Sequence, residues 1–219
     1  MNIAHFYHLW ADGTWRVPAA AHAAALLAAQ FPVMPAVGLV GQPQNRRDAA
    51  GWLCQALPGW DRCATADEGY EQVTLEALRQ WCINAPEPAA VLYCHTKGAA
   101  SPDEYRTRRR EHMTSRVVGR WRDCVRLLGE GADAAGCNWL TAGMTRTAGH
   151  ITMTIDAGDH FSGNFWWARS DYIAGLPPLP EVDITPVSVL PDSERIAAEL
   201  WIGTGKPRVA DLSPGWPDI

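Results

Sequence analysis

The segment Ala89–Gly98 is the feature of this sequence that most restricts its fold. Its apolar residues stop abruptly at His95, Thr96 and Lys97. A continuous apolar run of this length is typical of a strand buried on both faces inside a mostly parallel sheet. Ligands of open α/β sheets collect at the carboxyl ends of the strands, so these three side chains indicate a site for an anionic group. A polar loop after a core strand explains the same residues equally well.

The segments before this strand predict an alternation of strands and helices. Apolar and aromatic runs indicate strands, and an alanine-rich run and an amphipathic run indicate helices. This alternation predicts an α/β fold with a mostly parallel central sheet flanked by helices. The predicted strands are 2–10, 36–41, 62–65 and 89–94, and the predicted helices are 15–31, 51–57 and 65–81, with a loop at 42–50.

The second half of the chain predicts fewer regular elements. One long helix is expected at 104–128, then a strand at 137–140, a strand at 160–169 and a helix through 192–201. Residues 129–136 and 142–158 are expected to be loops, and 203–219 an irregular tail. The 219 residues are enough for one core, so a single domain over 1–219 is expected.

Composition and charge exclude several classes of protein. The net charge of -5 argues against general electrostatic binding of nucleic acid, although eight of the nineteen Lys and Arg residues lie between Arg106 and Arg126. The six cysteines show no CxxC spacing, which indicates reduced core thiols. No apolar run reaches the roughly 18 residues of a membrane span, so a soluble, cytoplasmic protein is expected. GxGxxG, GxxxxGK[ST], GxSxG and HExxH motifs are all absent from the sequence.

Two pairs of polar residues are candidates for chemistry. In extended geometry His95 and Lys97 project to the same side, where they can hold a diphosphate through charge-assisted hydrogen bonds. Glu199 follows Arg195 by four residues on a predicted helix and can act as a general base. Each pair also has a purely structural explanation. The first can be a packed histidine beside a solvated lysine, and the second a surface ion pair worth about 0.3 to 0.5 kcal/mol. The ion-pair alternative is favoured on residue types alone.

Aromatic residues supply a third candidate. Eleven tryptophans are unusual in a chain of this size. In a strand, Trp166 and Trp167 face opposite sides, so at least one belongs to the core. The other, with Phe161 and Asn164, can stack on and hydrogen-bond a sugar or a base.

The combination of motifs resembles a family of glycosyltransferases found in bacteria, viruses and some eukaryotes. That family has a strand ending in His-Thr-Lys-Gly, then a Trp-containing helix, a short strand ending in Asn-Trp, a Phe-Ser-Gly-Asn-Phe-Trp-Trp-Ala block and a final Arg-x-x-x-Glu-x-Trp-Ile. The corresponding residues are His95-Thr96-Lys97-Gly98, Trp121, Asn138-Trp139, His160 through Tyr172, and Arg195 with Glu199, Trp201 and Ile202. The pieces Phe6 to Trp10 and Tyr70 to Leu75 are also similar, so the likeness spans nearly the whole chain.

The resemblance implies a single GT-A type domain that moves a sugar from a nucleotide-sugar donor to an acceptor hydroxyl, with a possible inverting outcome. Glu199 is then the base, and Lys97 and His95 stabilise the departing nucleoside diphosphate. The further residues expected to contact substrate are His8, Trp10, Glu71, Thr74, Thr96, Asn138, Trp139, His160, Phe161, Ser162, Gly163, Asn164, Trp166 and Arg195.

The metal requirement departs from the common pattern of that fold. An Asp-x-Asp usually holds a divalent metal at the end of the fourth strand, whereas this chain has His95-Thr96-Lys97 there. We therefore expect no required cofactor and no metal ligand, with a side-chain cation in place of a metal such as manganese. Asp156 and Asp159 are weak candidate ligands.

Two other functions remain open at this point. The first is a binding module of the same fold that holds a glycan or a nucleotide without turnover. The second is a DNA-modifying glycosyltransferase, in which the Arg106–Arg126 segment binds nucleic acid and the acceptor is a modified base. The acceptor is accordingly a glycan, a protein or a DNA base, and no membrane partner is expected.

Overall fold

A seven-stranded sheet runs through the centre of the fold, with helices on both faces. The computed structural model describes residues 1–100, 103–148, 151–154, 158–182 and 193–213. The elements of the first half are β1 (Asn2–Trp10), α1 (Arg16–Ala28), β2 (Ala36–Val40), α2 (Pro43–Ala56), β3 (Asp61–Ala66), α3 (Gln72–Asn84) and β4 (Ala89–His95).

The second half contributes shorter strands and helices. They are α4 (Glu104–Val117), α5 (Trp121–Gly129), β5 (Ala134–Gly136), β6 (Trp139–Leu140), β7 (Thr145–Ala148), β8 (Ile151–Thr154), β9 (His160–Phe161), β10 (Trp166–Arg169), α6 (Ser170–Ala174), α7 (Ser193–Leu200) and β11 (Val209–Asp211), with 3₁₀ turns at Leu179–Glu181 and Trp201–Gly203.

The strand order of the central sheet is β11-β5-β10-β4-β1-β2-β3. Strands β1 to β4 are all parallel to one another, and β11 is parallel to β5. Strand β10 is antiparallel to β4 and β5. The α/β class and the mostly parallel sheet predicted from the sequence are therefore confirmed. Because β10 runs the other way, its first residues meet the carboxyl ends of β1 to β4.

Alternating side chains of the sheet fill two cores. One face carries Tyr7, Cys94 and Trp167 and packs against α1, α2, α4 and α5. The other face carries Tyr93 and Trp166 and packs against α3, α6 and α7. Both faces are therefore covered, as the continuous apolar runs of β1 and β4 require.

Several predicted elements were wrong in extent or type. The predicted loop at 42–50 belongs to α2, which begins at Pro43, a favoured first helical residue. The predicted helix 104–128 is two helices, because the chain breaks around Gly119, where an added Cβ would lie 2.5 Å from the Ser115 carbonyl oxygen. The predicted loops and the tail contain strands β5, β7, β8 and β11, and the predicted strand 160–169 is divided into β9 and β10.

Two further sequence expectations concern cysteines and membrane spans. All six cysteines are free thiols. Among the residues that the structure describes, no helix is both long and apolar enough to cross a membrane.

Packing at Gly38 generates a stability prediction. A Cβ at this position would lie 1.9 Å from Thr74 Oγ1, and Thr74 is fully buried on α3. We expect Gly38→Ala to lower the free energy of unfolding by about 1 to 3 kcal/mol, because the overlap forces β2 and α3 apart. Urea unfolding measures the change.

The matched control for this prediction is Gly51→Ala on α2. An added Cβ there meets nothing within 4 Å. Alanine should raise the free energy of unfolding by roughly 0.5 to 1 kcal/mol, since glycine is a poor helix former. Equal stability of the two variants would contradict the packing argument.

Candidate functional site

A cleft of about 1450 Å³ opens at the carboxyl ends of β1 to β4. One wall is built by residues that directly follow these strands, among them Asp12, Gln42, Asp67 and Lys97. The opposite wall comes from α4, from the segment between β9 and β10, and from α7. The cleft therefore lies where open α/β sheets bind their ligands.

Twelve of the seventeen site residues predicted from the sequence line this cleft. They come from five separate parts of the chain that the fold brings together. The twelve are His8, Trp10, Glu71, His95, Thr96, Lys97, His160, Ser162, Gly163, Asn164, Arg195 and Glu199.

The other five predicted residues lie behind the cleft wall and support it. Trp166 and Phe161 are fully buried, so neither can stack on a sugar. Trp166 Nε1 donates a hydrogen bond to Asn164 Oδ1 at 2.7 Å, and Phe161 packs edge-on against Trp139, with 4.7 Å between ring centroids. Both tryptophans of the Trp166-Trp167 pair belong to the cores, because helices cover both faces of β10.

Hydrogen bonds hold the other three residues of this group, Asn138, Trp139 and Thr74, in place. Asp211 Oδ1 and Oδ2 accept hydrogen bonds from the backbone N–H groups of Asn138 and Trp139, each at 3.0 Å. Thr74 Oγ1 lies 2.9 Å from His8 Nδ1 and so fixes the His8 ring at the cleft floor. In the free protein these contacts position the wall, and none of the three residues lines the cleft.

The turn after β4 places Lys97 in the cleft by a route that differs from the extended geometry we predicted. Strand β4 ends at His95, and the Lys97 N–H bonds back to the His95 carbonyl at 2.8 Å. Thr96 Oγ1 accepts from the Trp10 N–H at 2.9 Å, and the Thr96 N–H donates to the His8 carbonyl at 3.0 Å. Thr96 therefore joins β4 to β1, which leaves Lys97 at the cleft surface.

The peptide of Gly163 joins two predicted catalytic residues. Its N–H donates to Glu199 Oε1 at 2.5 Å, and its carbonyl oxygen lies 3.0 Å from His95 Nε2. The backbone has φ of +101°, and an added Cβ would lie 2.6 Å from Met113 Sδ and 3.4 Å from Lys97 Cε. Only glycine fits this place, because both the conformation and the space exclude a side chain.

Glu71 stands at the start of α3 and lies deeper than Glu199. Its Oε2 accepts hydrogen bonds from Tyr93 Oη at 2.9 Å and from Asn164 Nδ2 at 2.5 Å. Its Oε1 lies 3.5 Å from His95 Nδ1. Both ring nitrogens of His95 therefore face protein groups, which leaves neither of them for the diphosphate contact that we predicted.

The two carboxyl groups of the cleft differ in acidity. Burial raises the pKa of Glu71, and its Coulombic coupling to nearby Glu199 acts in the same direction. Burial also acts to raise the pKa of Glu199, but Lys97, His160, the Gly163 N–H and Arg195 together bring it below its ordinary value. The site thus holds one carboxyl group whose pKa is raised and one whose pKa is lowered.

Positive charge is concentrated around Lys97. Burial lowers the pKa of Lys97, and the nearby guanidinium groups of Arg109 and Arg195 act in the same direction. Arg109 Nη2 donates to Ser162 Oγ at 3.0 Å, and Arg110 Nη1 donates to the Lys97 carbonyl oxygen at 3.2 Å. This cluster gives one end of the cleft a cationic lining.

The arginine-rich segment, which the sequence offers as a possible contact to nucleic acid, is divided between the cleft and the protein surface. Arg106 and Arg109 line the cleft, and Arg110 is buried. Four arginines of this segment form ion pairs with neighbouring acidic residues on the same helices: Arg106 with Asp103, Arg108 with Glu104, Arg120 with Asp123 and Arg126 with Glu130.

Sequence reasoning missed several residues of the cleft wall. Asp12, Gln42 and Asp67 follow the ends of β1, β2 and β3 within two residues. The rule that pointed to Lys97 after β4 also applies to these strands, so their strand-end positions were the available signal. Asp12 Oδ1 accepts from Asn45 Nδ2 at 2.6 Å, which connects the loop after β1 to α2.

Of the two candidate metal ligands, Asp159 lies within the described residues. Asp159 Oδ1 accepts from the Ala142 N–H at 2.9 Å, and Asp156 lies outside the described residues. Within the part of the chain that the structure describes, no group of three or more His, Cys, Asp or Glu side chains is arranged to hold a metal ion.

The family model described as "Domain of unknown function (DUF8361)" matches residues 36–185, more than half of the chain. The chain therefore belongs to this family. No protein of curated function matches it in sequence.

Solved structures show a similar fold. The crystal structure of 4-diphosphocytidyl-2C-methyl-D-erythritol synthase from Anaerococcus prevotii DSM 20548 covers 100% of this chain and 91% of its own, with 10% identity and a TM-score of 0.52. A second 4-diphosphocytidyl-2C-methyl-D-erythritol synthase covers 96% of this chain and 88% of its own, with 13% identity and a TM-score of 0.40. At such low identity the likeness to the first structure extends to the fold alone.

The neutral histidines of the cleft generate a prediction about pH. Burial lowers the pKa of His8 to about 4 and that of His95 to about 3, from 6.5. Between pH 6.5 and 4 these histidines bind protons in the unfolded chain but not in the folded chain. The stability that they contribute is therefore fully present above pH 6.5 and is lost as the pH is lowered. We expect each histidine to contribute a loss of about 1.4 kcal/mol per pH unit in this window.

The variant His8→Asn isolates one of these groups, since asparagine can still hydrogen-bond Thr74. Urea unfolding from pH 7 to pH 4.5 should show a shallower loss of stability for His8→Asn, by roughly one histidine's share. An identical pH slope for the two proteins would mean that His8 is not buried in its neutral form.

Proposed function

We propose that this protein is a GT-A type glycosyltransferase that moves a sugar from a nucleotide-sugar donor to an acceptor hydroxyl. The observation that carries the proposal is the meeting of Lys97 and Glu199 in one cleft at the carboxyl ends of the parallel strands, where each shifts the pKa of the other. Group transfer from a diphosphate needs this pair of a cation for the leaving group and a carboxylate for the acceptor.

The size and charge of the cleft fit such a donor. Its volume of about 1450 Å³ exceeds the roughly 300 to 1,000 Å³ of pockets for smaller ligands, which leaves room for donor and acceptor together. The cationic end around Lys97 and Arg109 suits a diphosphate. The carboxylate and amide groups of Asp12, Gln42 and Asp67 at the other end suit the hydroxyl and amide groups of a nucleoside.

Side-chain cations take the place of a metal in this proposal. Lys97, Arg109 and Arg195 interact electrostatically within the cleft. Ammonium and guanidinium groups can balance the charge that develops on a departing nucleoside diphosphate. We therefore expect transfer to proceed without added manganese.

Glu199 is the base in this proposal. In the free protein its pKa is low, partly because Lys97 and Arg195 stabilise the carboxylate, so it is ionised at neutral pH. When a diphosphate binds to the same cations, their field at Glu199 is partly neutralised. The pKa of Glu199 then rises, which makes it a stronger base once the donor is in place.

Binding of the donor is tested with a panel of nucleotide-sugars in thermal-shift measurements, each with manganese and with a chelator. A donor that binds the folded chain should raise its melting temperature in both conditions. Lys97→Met should weaken that binding by about 10- to 100-fold, because a charge-assisted hydrogen bond is lost. The other lysine of the sequence, Lys206, is exposed and lies outside the cleft, so Lys206→Met is the matched control.

The outcome of the panel also separates the competing functions. Release of a nucleoside diphosphate from the donor supports transfer, and binding without consumption supports a binding module. Because a structure of similar fold is named as a diphosphocytidyl synthase, release of pyrophosphate from a nucleoside triphosphate is measured in parallel. That result, or the absence of any stabilising nucleotide-sugar, would contradict the proposal.

Glu199→Gln tests the base. Glutamine keeps the hydrogen bond from the Gly163 N–H but cannot take up a proton, so we expect kcat to fall by about 10²- to 10⁴-fold with little change in KM for the donor. Glu130→Gln, which changes an exposed carboxylate paired with Arg126, is the control. Transfer at the normal rate by a folded Glu199→Gln variant would remove Glu199 from this role.

A further inference from the structure

We propose that Glu71 stays protonated on Oε1 in the free site, with this O–H directed at the lone pair of His95 Nδ1, which makes Glu71 a positioning residue that acts on Glu199 through His95 and the Gly163 peptide. The proton location follows from the geometry of the free protein. The effect on catalysis rests on the proposed function, because it takes Glu199 as the base.

The first step is the tautomer of His95. Its Nε2 lies 3.0 Å from the Gly163 carbonyl oxygen, which can only accept a hydrogen bond. The proton of a neutral His95 ring is therefore on Nε2. Nδ1 of that neutral ring carries a lone pair, and it points at Glu71 Oε1, 3.5 Å away.

The second step is the proton between these two atoms. A carboxylate oxygen facing a lone pair would be repelled, so either Glu71 is protonated or the ring is an imidazolium. The contacts at the other oxygen fit the first state. Oε2 accepts from Tyr93 Oη and Asn164 Nδ2, as the carbonyl oxygen of a carboxylic acid can with its two lone pairs. Oε1 is then the hydroxyl oxygen that donates to His95.

The third step is the charge balance around the pair. Lys97 and Arg195 disfavour an imidazolium at His95, whereas Gly163 and Glu199 favour it. Glu199 disfavours a second carboxylate at Glu71, whereas His8, Lys97 and the Tyr93 hydroxyl favour it. Burial favours the neutral pair over the ion pair, because it disfavours both charged forms. It lowers the pKa of His95 to about 3 and raises the pKa of Glu71. The neutral pair is the favoured state.

The fourth step leads from this pair to Glu199. With Nε2–H fixed, His95 holds the Gly163 carbonyl oxygen, and the same glycine gives its N–H to Glu199 Oε1 at 2.5 Å. Glu71 thus sets the tautomer that orients the peptide, and the peptide orients the base. Loss of the proton donor at position 71 lets the ring adopt the other tautomer and releases the peptide.

Nitrogen-15 NMR of the histidine side chains tests the proton location in the unmodified protein. We expect His95 to show the pattern of a neutral ring protonated at Nε2 from pH 5 to pH 8, with assignment from a His95→Gln sample. An imidazolium pattern in this range, or a ring protonated at Nδ1 alone, would overturn the proposal. This readout needs no substrate, so it stands even if no sugar transfer is found.

Variants of Glu71 test its positioning role. Glutamine reproduces a protonated carboxyl group, since its amide can donate to His95 Nδ1 while its oxygen accepts from Tyr93 and Asn164. We expect Glu71→Ala to lower kcat by up to about 100-fold through misplacement of the base, with donor KM within about threefold, and Glu71→Gln to restore most of the loss.

The control for both variants is Glu76→Gln on the same helix, which changes a carboxylate paired with Arg79 outside the cleft. Equal loss of kcat in Glu71→Gln and Glu71→Ala would show that position 71 must be ionised, and would overturn the proposal. If the unmodified protein transfers no sugar, the proposed function fails, and the NMR pattern of His95 in Glu71→Gln and Glu71→Ala decides the proposal. The Nε2–H form should persist in the first variant and be lost in the second.

Discussion

The two hydrogen bonds of the Gly163 peptide are the contacts on which the arrangement of the cleft depends. Through them, the end of β4 is joined to α7, although His95 and Glu199 are far apart in the chain. The position tolerates no side chain, since Met113 and Lys97 approach it from one side and the backbone is left-handed. The adjacent Asn164 is also left-handed, with φ of 56°, and its side chain connects Glu71 to Trp166. This pair of residues turns the chain into the antiparallel strand β10.

Burial of ionisable groups explains how an acidic protein presents a cationic site. Several acidic residues outside the cleft pair with arginines, whereas burial raises the pKa of the Glu71 carboxyl group. If Glu71 is protonated as we propose, Lys97, Arg109 and Arg195 are opposed mainly by Glu199 at this end of the cleft. A protein with a net charge of -5 can therefore still attract an anionic ligand locally.

The sequence contains enough information for the sheet and for half of the cleft, but not for the contacts across it. Apolar runs identify β1 and β4, and the polar residues after them identify His95 and Lys97. Trp166 was predicted to contact the ligand because alternation shows that Trp166 and Trp167 face opposite sides of the sheet. Alternation cannot show that helices cover both sides. The first half of helix α2 was missed because 42–50 contains few apolar residues, and only two side chains of this helix are buried. The Gly163 contact with Glu199 joins residues 36 positions apart, and no periodicity encodes such a distance.

The contact between Glu71 and His95 follows from the register of β4 once the helix layers are known. Val91 and Tyr93 point to the face that α3 covers, and alternation places His95 on the same face, one step nearer the cleft. Helix α3 begins just after Glu71, so the first residue of this helix region reaches Tyr93 and His95 together. Cys94 points into the other core. The alternation of side chains along β4 therefore separates His95, which contacts Glu71, from Cys94, which packs in the core. This alternation places His95 within reach of both Glu71 and the Gly163 peptide at the cationic end of the cleft.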